Sequence, residues 1–163
     1  MPLLYYVNVT IHVLAALLWL GGMFFLAVVG APTLRTVEPP QLRQQLFNAL
    51  GTRFRSAGWV AISVLLVTGV INLAYRGWLN WSLLSSPSFW RTTTGKALAV
   101  KLIAVVLMVS LSLVHDFILG PRAGAARPGS PEAIKLRKRS AMNARIEAII
   151  GLILVAAAVR LTR

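Results

Sequence analysis

The chain has 163 residues, of which 57% are hydrophobic and 13% charged, and its mean hydropathy is +0.73. Soluble domains carry roughly a quarter charged residues, so this composition excludes an ordinary soluble domain and indicates a membrane protein. The net charge of +13 comes from cations lying mainly between apolar blocks, where topology explains them better than nucleic acid does, and the absence of cysteine excludes disulfides, thiolate metal sites and thiol redox chemistry.

No charged residue occurs from Leu3 to Leu34, more than the roughly 20 residues needed to cross the hydrocarbon core, and a first span is expected over about residues 4–31. A cleavable signal peptide fits less well, because the segment lacks a basic start and its apolar part is too long. Arg35, Arg43, Arg53 and Arg55, opposed by Glu38, form a basic connection interrupted by Pro39 and Pro40, with a short amphipathic helix expected around residues 41–50. A second charge-free span is expected over 56–75. From Arg76 to Lys96, Trp78, Trp81, Phe89 and Trp90 alternate with Ser, Asn and Pro, the composition of an external loop at the headgroup layer.

The third span is expected over 97–119, with Lys101 near its start and His115 near its end. The most basic connection follows, Arg122 to Arg145, with Glu132 its only acid. The fourth span, over 142–161, carries Glu147 near its beginning. The three connections hold four, three and seven Lys and Arg residues, so the first and third belong in the cytoplasm. The expected fold is therefore all-α, an integral membrane four-helix bundle running up-down-up-down as one domain, with both termini on the non-cytoplasmic side.

Ionisable groups at membrane depth are costly and mark functional candidates. Helical spacing puts His12, Ala15, Ala16, Trp19 and Met23 on one face of the first span, and Ala61, Leu65, Thr68 and Asn72 on one face of the second. It likewise aligns Lys101, Val105, Met108, Ser112 and His115 on the third, and Glu147, Gly151, Leu154 and Ala158 on the fourth. The bland explanation is that the small and polar members only bring helices together. His12 lies about 8 residues in and His115 about 18, an offset of roughly 15 Å, so they cannot share an ion or ligate one haem. Two sites are expected: an outer one of His12 and Met108, assisted by Asn72 or Lys101, and an inner one of His115, Asp116 and Glu147. Glu147 is also near enough to the interface to pair with Arg53, Arg55 or Arg145.

The run HVLAALLWLGGMFFL from His12, followed by Pro32, resembles the opening helix of the copper-resistance D (CopD) family of bacterial inner-membrane proteins. LLVTGVIN in the second span, TTTGKALAVKLIAVVL leading to His115 and Pro121, and Glu147 followed by Gly151 resemble it too. The resemblance implies copper uptake or transfer at the inner membrane, alongside a periplasmic copper-binding partner. His12, Met108, His115 and Glu147 are then the candidate metal ligands. His12 followed by Trp19, Gly22, Phe24 and Leu26 is also similar to the first helix of HemJ-type protoporphyrinogen oxidases. That resemblance implies b-type haem or porphyrin, with His12, Trp19, Asn72, Lys101 and His115 as the binding residues. A third reading is an accessory subunit whose basic loops hold anionic membrane lipid or a partner; self-association into a homodimer is left open. Motifs for phosphate loops and zinc proteases are absent.

Overall fold

A computed structural model describes residues 3–127 and 129–161, and among these every regular element is helical. Helix α1 (Leu3–Phe25) continues through a π-turn (Leu26–Gly30) into α2 (Ala31–Arg35), so one helical rod covers the first charge-free stretch. Helix α3 (Pro40–Tyr75) follows, then two short helices, α4 (Trp81–Leu84) and α5 (Pro87–Arg91). Helix α6 (Thr93–Val114) passes through a second π-turn (His115–Leu119) into α7 (Gly120–Ala125), and α8 (Pro131–Leu161) completes the chain. Three of these rods, Leu3–Arg35, Pro40–Tyr75 and Thr93–Ala125, are long and apolar enough to cross a membrane. The last, α8, carries Arg145, Glu147 and Arg160 in its apolar half.

Both π-turns have the same local cause. The amide of Ala31 donates to the Leu26 carbonyl and that of Gly120 to the His115 carbonyl, each five residues back, and a proline follows immediately, Pro32 or Pro121. Proline has no N–H and its ring collides with the carbonyl four residues earlier in a regular helix. Widening the preceding turn lets the helix pass that point without breaking.

Helix α3 begins sixteen residues before the charge-free stretch at Ser56 and absorbs the expected short helix over 41–50. Absence of charge marks where lipid can surround a helix, not where the helix starts. Pro40, favourable at the first helical position, sets that start. Likewise α8 begins at Pro131, where Ser130 Oγ accepts the Ala133 amide at 3.2 Å, and runs through the basic segment before the apolar part begins. In the aromatic connection, Gly77 ends α3 with φ +68°, a conformation that suits glycine. Asn80 and Thr92 cap α4 and α6 through the amides of Ser82 and Gly95.

The main packing is α1 along α3 and α6 along α8, with α8 also touching α1. Residue pairs show that α1 and α3 are antiparallel: Asn8 meets Thr68 and Asn72, Trp19 meets Gly58, and Gly22 meets Phe54. At the far end, buried Gln44 of α3 donates to the carbonyls of Gly124 (3.2 Å) and Ala126 (3.0 Å) and accepts from Arg137 of α8 (3.0 Å). One amide side chain thus joins three helical segments, with all its polar atoms satisfied. At the opposite end Arg76 donates to the Leu161 carbonyl and stacks 5.1 Å from the Trp78 ring, closing the C-terminal turn of α8.

Candidate functional site

Three layers follow one another along the inner faces of the helices. In the first, Asn8 Nδ2 donates to Asn72 Oδ1 at 2.9 Å and to the Thr68 carbonyl at 3.1 Å. His12 Nδ1 lies 2.7 Å from Thr68 Oγ1, and that hydroxyl donates to the Val64 carbonyl at 2.6 Å. A threonine hydroxyl has one proton, so with it given to Val64 the oxygen must accept from His12 Nδ1–H. With Nδ1 carrying the proton, a neutral ring keeps its lone pair on Nε2, the nitrogen that can act as a metal ligand. The ring edge, Cε1, packs over Gly69. Lys101 of α6 lies within electrostatic reach of His12, and Arg76 of Lys101.

Below this lies an apolar layer of Trp19, Met23, Ala61, Ile62, Ala104, Met108 and Ile150, with Leu20, Phe54 and Trp59 packed against it. The Trp19 indole is wedged between two glycines: a Cβ on Gly58 would sit 3.8 Å from its Cδ1, and one on Gly151 would sit 3.5 Å from its Cζ3. Small residues at these positions let α3 and α8 close around the ring. Two thioethers share this layer, with Met23 8% and Met108 3% exposed.

The third layer is polar again. His115 Nδ1 donates to Asp116 Oδ1 (2.9 Å), Trp59 Nε1 donates to Asp116 Oδ2 (2.9 Å), and the Arg55 guanidinium donates to the Asp116 carbonyl (3.0 Å). Asn143 Nδ2 donates to Glu147 Oε1 at 2.9 Å and to the Leu111 carbonyl at 3.2 Å, which uses both its protons. Glu147, 6% exposed, lies within electrostatic reach of His115 and Asp116 and beside Ser112, whose buried Oγ makes no well-formed hydrogen bond.

Among the expected residues, His12 and Asn72 thus lie in the first layer, connected through Thr68 and Asn8, with Lys101 nearby. Met108 packs in the apolar layer with Trp19, which lies seven residues along α1 from His12, roughly 10 Å deeper. Trp19 is a packing residue of that layer. His12 meets α3 at Thr68 whereas Asp116, beside His115, meets it at Trp59, nine residues away and roughly 13 Å apart along the helix. Glu147 pairs with none of Arg53, Arg55 or Arg145: its oxygen is held by Asn143, one turn earlier on the same helix, and Arg55 is turned to the Asp116 carbonyl. Asp116 faces the interior. Among the described residues no three His, Asp or Glu side chains converge closely enough to hold a metal ion, so His115, Asp116 and Glu147 do not form a three-ligand cage. Sequence reasoning passed over Asn8, Trp59 and Asn143, which are uncharged and stand out only once their partners are known.

The family described as copper resistance protein D matches residues 48–161, from the third turn of α3 to the end of α8. The chain belongs to the copper resistance protein D family. The matched stretch holds Thr68, Asn72, Lys101, Met108, the third layer and both glycines around Trp19, whereas α1 with His12 precedes it. An uncharacterized protein of Aquifex aeolicus (strain VF5) is 34% identical over 116 residues, covering 69% of this chain and 68% of that protein. No solved structure gives a significant match. As a copper resistance protein D family member with several membrane-crossing helices, the chain is a multi-pass membrane protein related to copper resistance.

Proposed function

We propose that this protein handles copper in the bacterial inner membrane, passing Cu(I) as cargo from His12 through Met108 and Met23 toward His115. The observation that carries the reading is the burial of two thioethers in one layer between two histidine-bearing polar layers. Cu(I) favours soft sulfur ligands and accepts two- or three-coordinate sites, and imidazole also suits copper. Staggered His and Met side chains offer an ion successive partners without a deep trap, and membership of the copper resistance protein D family supports copper as the ion. In this reading α8 is the fourth span of an up-down-up-down bundle. Arg43, Arg53, Arg55 and the basic first half of α8 face the cytoplasm, and both termini lie outside.

The test is Cu(I) binding to protein purified in mild detergent, followed by X-ray absorption of the bound ion and by competition with a chromogenic Cu(I) chelator. A sulfur shell that disappears in Met108→Leu/Met23→Leu supports the proposal. Stoichiometric binding unchanged in that variant and in His12→Ala would refute it.

A further inference from the structure

At the end of the molecule opposite the basic segment, a groove of about 480 Å³ lies between the first turns of α6 and the last turns of α8. Its floor is small and apolar, with Ala97 and Val100 on one side and Ile153 and Ala157 on the other, and its mouth carries Lys96 and Arg160. Both cations are exposed, and neither makes a hydrogen bond or ion pair among the described residues. The chain has four acidic side chains, Glu38, Asp116, Glu132 and Glu147. The nearest of them along α8, Glu147, is thirteen residues from Arg160, roughly 20 Å down the helix. Among the described residues the mouth therefore has two positive charges and no acidic side chain to balance them, beside an apolar floor.

We propose that this groove is a binding site for one anionic phospholipid, its phosphate between Lys96 and Arg160 and an acyl chain along the Ala97, Val100, Ile153 and Ala157 surface. Charge complementarity selects the headgroup: a zwitterionic lipid brings a cation of its own to a site that already has two, whereas phosphatidylglycerol brings a net negative charge. The apolar floor suits an acyl chain, and its two alanines, Ala97 and Ala157, leave space that larger side chains would fill. The occupant would bridge the start of α6 and the end of α8, and the inference is independent of copper handling.

The experiment is native mass spectrometry of the full chain released from nanodiscs of equal phosphatidylglycerol and phosphatidylcholine, counting the lipid retained. Wild type should keep one phosphatidylglycerol in preference to phosphatidylcholine. Lys96→Gln/Arg160→Gln should lose that preference by roughly thirtyfold, each cation near an anionic headgroup contributing about fivefold. Lys138→Gln/Arg139→Gln, in the basic segment at the other end, should keep it. Ala157→Phe, which fills the channel and leaves both charges, should also lose the retained lipid. Retention unchanged in Lys96→Gln/Arg160→Gln, or lost only in Lys138→Gln/Arg139→Gln, overturns the proposal. Because Lys96 and Arg160 are exposed, the double variant decides the matter even where Ala157→Phe does not fold.

Discussion

His12 and Thr68 form a directed pair: the hydroxyl gives its proton to the helix behind it and takes one from the imidazole, fixing which ring nitrogen carries the proton. Thr68→Val keeps the shape and removes the acceptor. Partners of this kind typically matter 10- to 100-fold in metal affinity, so Cu(I) affinity measured by chelator competition should fall about tenfold. Thr68→Ser should restore it. Equal affinity in all three proteins would show that the ring's orientation is set elsewhere.

Replacing Met108 separates packing from chemistry. Met108→Leu conserves volume and should cost less than about 1.5 kcal/mol of stability, whereas Met108→Ala opens a cavity and should cost about 2–5 kcal/mol. Both lose the sulfur, so Cu(I) binding should drop similarly in the two while thermal stability in detergent differs. A Leu variant that binds Cu(I) like wild type removes Met108 from the path.

Trp59 and Asp116 join α3 to the π-turn after α6. Trp59→Phe keeps the ring packing near Phe117, whose centroid lies 5.8 Å away, and deletes the N–H donor to a carboxylate. Hydrogen bonds to charged groups contribute about 1.5–3 kcal/mol, so a loss of that order is expected in denaturant or thermal unfolding. A change below about 0.5 kcal/mol would mean that water replaces the indole at no cost.

Gly95 has no room for a side chain: a Cβ there would lie 2.1 Å from the Phe89 carbonyl oxygen, a backbone atom that cannot swing aside. Gly95→Ala should therefore push α5 away from α6 and cost about 1–3 kcal/mol, the usual range for overpacking. Gly21→Ala, where nothing lies within 4 Å, is the matched control and should not destabilise the protein in the same melting experiment.

Much of the interior was legible from spacing alone. The stripe His12, Ala15, Ala16, Trp19 and Met23 contains three of the four residues that α1 buries, and Met108 and Ser112 on α6, like Glu147 and Gly151 on α8, are buried as their stripes require. Depth was less legible, because a stripe gives the facing of a residue and not its level against a neighbouring helix. Met108 for that reason lies with Trp19 instead of His12. The facing of Asp116 was not legible for another reason: it sits inside a π-turn, where the regular helical repeat fails. Asn8 and Asn143 carry no charge, so nothing in the sequence separated them from ordinary helix contacts.

The two proline-linked π-turns set the angular phase of the end of the molecule that holds α2 and α7. Each inserts one residue into a rod that otherwise advances about 100° per residue, so everything beyond it is turned by that amount relative to an uninterrupted helix. Removing a single residue from either turn, such as Val29 or Ile118, would leave the His12 layer in place and swing α2 or α7 away from α3. Chain length at these two points acts as a rotational gauge between the halves of the molecule.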